Sequence, residues 1–266
     1  MCIRDSPWAV LVSEFMAQQT QVARVVPAYH SFLERFPTPA ACAEAPTSAV
    51  IELWAGLGYN RRALMLHRSA SMVVEEFAGA VPNRIEDLLK LPGVGSYTAR
   101  AVLAFAFEHD VGVVDTNAAR VLARWAGETL DARAVQAAAD NAVPQMQGWA
   151  WNQAILDLGA TVCTKRKPRC GADCPVFAWC RWGGVGEDPA VGTAGVSTPQ
   201  SRFEGSDRQG RGRLIAALRR GPVAKGEVAV TMGWPDDPDR ALRVVAKLAG
   251  DGMIEETQGR YRLPTS

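Results

Sequence analysis

The chain has 266 residues, of which 48% are hydrophobic, enough for one large packed domain and a small second one. Its 29 Lys and Arg residues balance 28 Asp and Glu residues, so binding to a nucleic acid would require positive charge gathered on one face. The sequence has no apolar run of about eighteen residues and no secretory signal, which argues against a membrane or exported protein.

Apolar residues recur at helical spacing from Pro7 to about Gly159, in segments separated by proline and glycine. Alternation typical of strands is almost absent, so we predict an all-α first domain. The predicted helices are 8–18, 22–36, 48–56, 61–77, 85–90, 97–107, 117–125, 133–143 and 150–158.

The first predicted helix carries Glu14 among apolar residues. Its neighbours Val10, Leu11 and Phe15 predict a partly buried carboxyl group with a raised pKa, which could deliver a proton at neutral pH. The alternative is an ordinary surface glutamate on an amphipathic helix.

A glycine turn, LPGVG, spans residues 91–95 just before a predicted helix. Gly93 and Gly95 permit a tight turn whose backbone N–H groups point outward beside the positive end of the helix dipole. Such a turn can bind a phosphate group without any charged side chain. The alternative is an ordinary turn between two helices.

The segment VVDTN, residues 113–117, leads into the next helix. Asp115 and Asn117 are both candidates for the N-cap of that helix, because their side-chain oxygens can accept from its first N–H groups.

Four of the six cysteines fall within eighteen residues, at Cys163, Cys170, Cys174 and Cys180, with intervals of six, three and five residues. This clustering indicates a metal site more than a disulfide framework. Four thiolates in one loop can hold a [4Fe–4S] cluster or a tetrahedral zinc ion. The first interval also holds four basic residues, Lys165, Arg166, Lys167 and Arg169, which are either a contact for a nucleic-acid backbone or a solvated charge run.

Beyond the cysteines, the composition predicts a linker and a second domain. Residues 183–210 are rich in Gly, Pro, Ser, Thr and Asp, whereas apolar periodicity returns at 211–266. Three helices (214–219, 225–232 and 239–249) and two strands (253–256 and 261–263) joined near Gly259 predict a small winged-helix (α+β) domain. Its basic and acidic residues are nearly equal in number, so contact with DNA and contact with a protein both remain open.

The motif SE-x-M-x-QQTQ (13–21), the run GLGY (56–59), LPGVG, VD-x-N and the cysteine loop follow one another in an order that resembles MutY-type adenine glycosylases of the helix-hairpin-helix, iron–sulfur superfamily. The resemblance covers about residues 7–180. It implies an all-α helix-hairpin-helix domain over 1–182 with a [4Fe–4S] loop at 163–180. It also implies a monofunctional DNA glycosylase of base excision repair, which hydrolyses the N-glycosidic bond of adenine opposite 8-oxoguanine or guanine in double-stranded DNA. We expect a monomer in the cytoplasm, associated with the nucleoid and not with a membrane.

The resemblance also implies residue roles. Glu14 would protonate a ring nitrogen of the flipped adenine, Asp115 would stabilise the cationic sugar, and Asn117 would support that sugar. Tyr97 stands where related bifunctional lyases carry a lysine nucleophile, so strand cleavage through a Schiff base is not expected. The DNA contacts that the resemblance implies are Gln18, Gln19, Thr20, Leu57 and Tyr59 beside the opposite base, Pro92, Gly93, Val94 and Gly95 in the hairpin, and Gln153 near the adenine pocket. Packing in the core or on the surface is the alternative at these side chains. The implied cluster ligands are Cys163, Cys170, Cys174 and Cys180.

Several departures from the family bear on these expectations. Ala17 replaces a usual leucine, and the interval between Cys170 and Cys174 has one residue more than the family's. A preceding segment with a Trp-Arg pair that lines the adenine pocket is missing, so we expect an N-terminally truncated chain with a pocket open on one side. A winged helix stands where larger members carry a Nudix-like domain. The rival hypotheses are an endonuclease III-like glycosylase and lyase for oxidised pyrimidines, and a noncatalytic iron–sulfur regulator with a DNA-binding winged helix.

Overall fold

The computed structural model describes residues 6–196 and 202–265. These residues form two compact units. The first unit contains residues 8–82, 90–93 and 202–265, and the second contains 6–7, 83–89 and 94–196. The start of the expected glycosylase domain, residues 1–5, and part of the expected linker, residues 197–201, lie outside the described residues.

The N-terminal part of the first unit is helical. Phe15, Phe32 and Trp54 are buried at its centre, where the rings of Phe32 and Trp54 meet edge to face at 6.2 Å. Its helices are α1 (Pro7–Ala17), α2 (Val22–Arg35), α3 (Pro39–Ala43), α4 (Thr47–Leu53) and α5 (Arg61–Glu76). Helix α3 was not predicted, because five residues are too short to show a helical period. It forms because Pro39 occupies the first turn and Thr38 caps it by accepting from the N–H of Ala41 at 3.2 Å.

The C-terminal part of the first unit combines three helices with a small antiparallel sheet. Its elements are α11 (Asp207–Leu218), β1 (Val223–Ala224), α12 (Val228–Met232), α13 (Pro238–Gly250), β2 (Glu255–Thr257) and β3 (Arg260–Arg262). The strand order is β1-β3-β2, and Tyr261 on the central strand lies opposite both Val223 and Glu256. The predicted terminal hairpin is therefore present, with a third strand that is too short to recognise from alternation.

Helix α11 begins at Asp207, inside the segment expected to be a linker. Its first residues are polar and lack apolar periodicity, but Ser206 caps the helix and Arg240 of α13 bonds the Asp207 carboxylate at 2.8 Å. Gly210 is also required, because a Cβ atom there would overlap the ring of Trp234. Tertiary contacts, rather than periodicity, set this helix start.

The second unit contains the remaining helices: α6 (Ile85–Leu88), α7 (Ser96–Ala106), α8 (Thr116–Ala126), α9 (Ala132–Ala142) and α10 (Gly148–Thr161). Helices α8 and α10 approach closely at Gly159, where an added Cβ atom would lie 2.7 Å from Cβ of Asn117. The structure confirms a mostly helical fold with a small sheet. None of the described helices is both long enough and apolar enough to cross a bilayer.

Residues 183–196, which were expected to belong to the linker, pack onto this second unit. Asp188 forms an ion pair of 2.6 Å with the buried Arg124, and Thr193 accepts from the N–H of Leu130 at 3.0 Å. Ala190 is buried between these contacts. The segment is ordered by two polar anchors, which a composition poor in large apolar residues does not reveal.

Candidate active site and DNA interface

Glu14 lies on α1 and is half-buried, as its apolar neighbours predict. Leu11 and Phe15, on either side of it, are fully buried in the core of the first unit. Helix α1 therefore holds the Glu14 carboxyl group at the edge of an apolar core.

The turn after α1 contains Gln18, Gln19 and Thr20. The side chain of Gln19 is exposed, and its backbone has a φ of 54°, an uncommon conformation for a residue other than glycine. The Thr20 hydroxyl lies 3.3 Å from the carbonyl oxygen of Leu57 and donates to it, which ties this turn to the GLGY loop. The structure thus brings together two segments that the sequence separates by almost forty residues.

Arg62, which the sequence analysis did not single out, joins the same two segments. Its side chain is buried, and its guanidinium group donates to oxygen atoms on both sides. The acceptors are the carbonyl oxygens of Phe15, Met16, Gln18, Leu57, Gly58 and Tyr59 and the hydroxyl oxygen of Thr20, at 2.7–3.4 Å. A helical arginine normally points to solvent, and no sequence signal marks this one as buried.

Aromatic rings complete the surroundings of Arg62. Its guanidinium carbon lies 5.5 Å from the ring centre of Trp54 and 5.7 Å from that of Tyr59. Burial lowers the pKa of Arg62 to about 10, so the group stays protonated at neutral pH. A single buried cation therefore fixes both the end of α1 and the turn that carries Tyr59.

We expect Arg62→Met to lower the free energy of unfolding by about 3 kcal/mol or more, because it leaves several buried carbonyl groups without a donor. Chemical denaturation measures this effect. The control is Arg61→Met at the preceding residue. The side chain of Arg61 is 64% exposed and makes a 3.7 Å ion pair with Asp251, so little stability should be lost. Equal effects of the two substitutions would contradict the role of Arg62.

Two side chains expected to lie beside the opposite base differ in exposure. Leu57 is only 5% exposed and packs in the core, whereas Tyr59 is 42% exposed. Tyr59 also has a φ of 46°, so its backbone is held in the left-handed region by the surrounding turn. Of these two side chains, only that of Tyr59 is accessible at the protein surface.

The LPGVG segment forms a tight turn with both glycines exposed. Gly93 has a φ of 81°, and a Cβ atom there would lie 2.7 Å from Cβ of Met65, so no larger residue fits. The Ser69 hydroxyl donates to the carbonyl oxygen of Pro92 at 2.7 Å. Gly95 is the N-cap of α7, and the buried side chain of Val94 leaves only its backbone available to a ligand.

In the second unit, Asp115 caps α8. Its Oδ1 accepts from the N–H groups of Asn117 and Ala118 at 2.8 and 2.7 Å, and its Oδ2 accepts from the side-chain amide of Asn117 at 2.9 Å. Burial raises the pKa of Asp115, although these donors and the positive charge of Arg120 oppose the shift. The N-cap alternative is therefore confirmed, and the same geometry orients a half-buried carboxylate.

Arg120 connects Asn117, the hydrogen-bond partner of Asp115, to the cysteine loop. Its Nη2 donates to Oδ1 of Asn117 at 2.8 Å and to the carbonyl oxygen of Gly159 at 2.6 Å, while its Nε donates to the carbonyl oxygen of Cys163 at 2.8 Å. This fixes the side-chain orientation of Asn117, since its oxygen faces Arg120 and its nitrogen faces Asp115. Arg120 was not predicted from the sequence, because its partners lie up to 43 residues away.

Asn152, adjacent to the expected Gln153, is a third residue whose role the sequence did not reveal. It is buried, accepts from the N–H of Val113 at 2.8 Å and donates to the carbonyl oxygen of Val111 at 2.9 Å. It therefore positions the extended segment that leads to Asp115. Gln153 on α10 and Tyr97 on α7 are both half-buried in this unit.

The side chains of all four clustered cysteines line one cavity in the second unit. The extra residue of the second interval is accommodated by a 3₁₀ turn, Gly171–Asp173, in which Gly171 has a φ of 83°. Lys165, Arg166, Lys167 and Arg169 are exposed around the loop. Among the described residues, no three His, Cys, Asp or Glu side chains stand close enough to hold a single metal ion.

The surroundings of these sulfur atoms suit ligating thiolates. Arg124 donates to Sγ of Cys163 at 3.3 Å, and the N–H of Gly183 donates to Sγ of Cys180 at 3.4 Å. Hydrogen bonds of this kind stabilise the sulfur ligands of iron–sulfur clusters. The described cysteines form no disulfide. The residues present therefore fit an iron–sulfur group chemically.

Comparisons with known proteins agree with this description. The family model of the HhH-GPD superfamily base excision DNA repair proteins matches residues 12–145. Adenine DNA glycosylases of Mycobacterium tuberculosis and Mycolicibacterium smegmatis are each 43% identical over 97% of this chain, covering 86% and 88% of the relatives. The Homo sapiens adenine DNA glycosylase is 44% identical over 67% of this chain and 36% of its own length.

Solved structures show the same fold. A thermostable thymine-DNA glycosylase superposes with a TM-score of 0.64 at 29% identity, over 68% of this chain and 85% of that one. A trapped endonuclease III–DNA covalent intermediate superposes with a TM-score of 0.62 at 24% identity, over 69% and 88% of the two chains. The chain therefore belongs to the HhH-GPD superfamily of base excision DNA repair proteins and, within it, to the family of adenine DNA glycosylases.

Proposed function

We propose that this protein is a base-excision-repair glycosylase that hydrolyses the N-glycosidic bond of adenine opposite 8-oxoguanine or guanine in double-stranded DNA. The observation that carries the proposal is the similarity to adenine DNA glycosylases over nearly the whole chain. The hydrogen-bonded, half-buried carboxylate of Asp115 supports it, because such a group suits the stabilisation of a positive charge.

In this reaction Glu14 donates a proton to a ring nitrogen of the flipped adenine, and the bond between that base and C1′ of the sugar breaks. The electron pair of the bond leaves with the base, so the sugar becomes cationic. Asp115 stabilises that cation, and Asn117 keeps the Asp115 carboxylate in place. A water molecule adds to C1′ and gives up one proton, which restores that of Glu14, to leave an abasic site. Because Tyr97 offers no amine, we propose that the enzyme is monofunctional.

The DNA is held by the remaining predicted residues. The exposed backbone of the turn at 92–95 binds a phosphate group at the start of α7. Gln18, Gln19 and Thr20 lie beside the opposite base, and Tyr59 acts as the wedge that fills the gap left by the flipped base. Leu57 supports that wedge from the core, and Gln153 lies near the adenine. Lys165, Arg166, Lys167 and Arg169 approach the DNA backbone.

A single-turnover assay tests the function. Duplex DNA with adenine opposite 8-oxoguanine is incubated with excess enzyme and scored for strand breaks with and without alkali. Breaks in the adenine strand that need alkali are the expected result. Breaks without alkali would instead support the lyase hypothesis, and the absence of breaks under both conditions would overturn the proposal.

We propose a [4Fe–4S] cluster held by Cys163, Cys170, Cys174 and Cys180. The common cavity and the donors to sulfur described above support it. A bound cluster would tie four thiolates together and so hold the loop that carries the basic side chains. Arg120 and Arg124 connect the main chain of Cys163 to α8, whose first turn contains Asn117.

We expect protein purified without oxygen to contain about four iron atoms per chain. Iron and acid-labile sulfide analyses measure this directly. Cys174→Ala should remove most of the iron, whereas Cys42→Ala, at a buried cysteine outside the loop, should retain it. Stoichiometric zinc without iron would show that the loop is a zinc site.

We propose that the C-terminal part of the first unit, from α11 (Asp207–Leu218) to β3 (Arg260–Arg262), is a winged-helix domain. Three helices followed by an antiparallel hairpin support that assignment. We further propose that the enzyme works as a monomer in the cytoplasm at the nucleoid. Sedimentation of the protein alone and with duplex DNA tests the monomer.

A further inference from the structure

One side chain in the C-terminal part of the first unit, Arg208, contacts Tyr59, the proposed wedge. Arg208, in the first turn of α11, donates from Nη1 to the hydroxyl oxygen of Tyr59 at 2.9 Å, across 149 residues of sequence. The guanidinium carbon of Arg208 also lies 5.9 Å from the ring centre of Phe203. The C-terminal part of the chain therefore contacts a side chain of the proposed DNA interface directly.

The residues just before Arg208 are held in place by several hydrogen bonds. Ser206 caps α11, and Arg240 of α13 bonds both the Asp207 carboxylate at 2.8 Å and the carbonyl oxygen of Gly205 at 2.9 Å. Arg240 in turn lies 4.1 Å from the ring centre of Trp234. Three hydrogen bonds thus anchor the start of α11 next to Arg208.

The far end of α11 is attached to the same loop. Arg219 donates to the side-chain oxygen of Asn60 at 3.2 Å and to the carbonyl oxygen of Ile51 at 2.9 Å. Helix α11 consequently contacts consecutive residues, Tyr59 and Asn60, from its two ends. Displacement of this helix would move the turn that presents Tyr59.

The hydrogen bond from Arg208 also determines which hydrogen bond the Tyr59 hydroxyl can make to a ligand. A phenol has one O–H donor and can also accept. Since its oxygen accepts from Arg208, the proton points elsewhere and is available as a donor near the exposed end of the ring. 8-Oxoguanine differs from guanine in its C8 carbonyl oxygen, an added acceptor, and in an N–H group at N7.

We propose that Arg208 is a positioning residue for opposite-base selectivity: it holds the Tyr59 phenol so that its hydroxyl donates toward 8-oxoguanine in preference to guanine. This inference rests on the proposed adenine glycosylase function and assigns part of its specificity to the C-terminal part of the chain. Arg62 holds the backbone and ring of Tyr59, whereas Arg208 orients the hydroxyl group by donating to its oxygen.

The test is a double-mutant cycle on DNA binding. Fluorescence anisotropy gives the Kd of the wild type, Arg208→Ala, Tyr59→Phe and the double variant for duplexes with non-hydrolysable 2′-fluoroadenosine opposite 8-oxoguanine or guanine. We expect each single substitution to reduce the ratio of the two Kd values about tenfold, corresponding to the loss of the one hydrogen bond from the phenol to 8-oxoguanine. The double variant should lose no more than either single variant.

Two further variants separate positioning from stability. Arg208→Lys keeps a charged donor and should retain most of the preference. Arg211→Ala is the matched control, because Arg211 lies on the same helix and donates to the carbonyl oxygen of Asp207 in its own first turn. Thermal unfolding of all variants checks that the ratio of Kd values does not simply follow stability.

The outcomes distinguish this inference from the proposed function. A wild type that prefers 8-oxoguanine but releases no adenine in the strand assay would overturn the function, and the cycle would still decide the role of Arg208. An unchanged ratio in Arg208→Ala, multiplicative effects in the double variant, or a wild type without preference would each overturn the inference.

Discussion

Glu14→Gln is expected to reduce the single-turnover rate of adenine release at least about 10²-fold, with duplex binding nearly unchanged. The substitution keeps the shape and hydrogen-bonding capacity of the side chain but removes its acidic proton. Because the loss affects only the transition state, the rate should fall without a matching rise in Kd. Quenched-flow or manual quench assays at saturating enzyme measure the rate, and anisotropy measures binding.

The control for Glu14 is Glu34→Gln, which makes the same change of charge at an exposed position of α2 in the same unit. It should leave both rate and binding at wild-type values. A Glu14→Gln variant with more than about a tenth of the wild-type rate would exclude Glu14 as the general acid.

Asp115→Asn is expected to lower the same rate by about 10²–10³-fold while the protein stays folded. The oxygen of asparagine still accepts from the N–H groups of Asn117 and Ala118, and asparagine is as good an N-cap as aspartate. Its nitrogen replaces Oδ2, so only the bond from the Asn117 side-chain amide is lost. The asparagine side chain is uncharged, however, so it can no longer stabilise the cationic sugar. Asp131→Asn is a closely matched control, because Asp131 caps α9 by accepting from the N–H of Ala134 at 2.7 Å and is exposed. Equal rates for the two variants would exclude an electrostatic role of Asp115.

The raised pKa of Asp115 gives this prediction a pH dependence. Burial disfavours the ionised form in the folded state, so the carboxylate costs stability at pH values above its folded pKa and costs nothing below its ordinary value of 3.8. The unfolding free energy of Asp115→Asn relative to wild type should therefore be higher at neutral pH than at acidic pH. Activity should follow the opposite course in the wild type, falling as acidification neutralises Asp115. Denaturation curves at several pH values, with Asp131→Asn for comparison, measure this difference in unfolding free energy.

The sequence was sufficient for features that depend on neighbouring residues. Helical periodicity identified most helices, Asp115 was recognised as an N-cap candidate, and the turn around Gly93 was located from its glycines. These properties require only a few consecutive residues, because helix faces, caps and tight turns are set by local backbone geometry. The order of the motifs also indicated the family, which the comparisons bear out.

Tertiary structure decided which polar side chains act at a distance. Arg62 reaches across 47 residues to Phe15, Arg120 across 43 to Cys163, and Arg208 across 149 to Tyr59. It also decided that Leu57 is buried while Tyr59 is exposed, although only Gly58 separates them in one motif. A long cationic side chain has the same local pattern whether it points to solvent or to buried carbonyl groups. Its partner is determined by how the elements pack, which the spacing of residues along the chain does not specify.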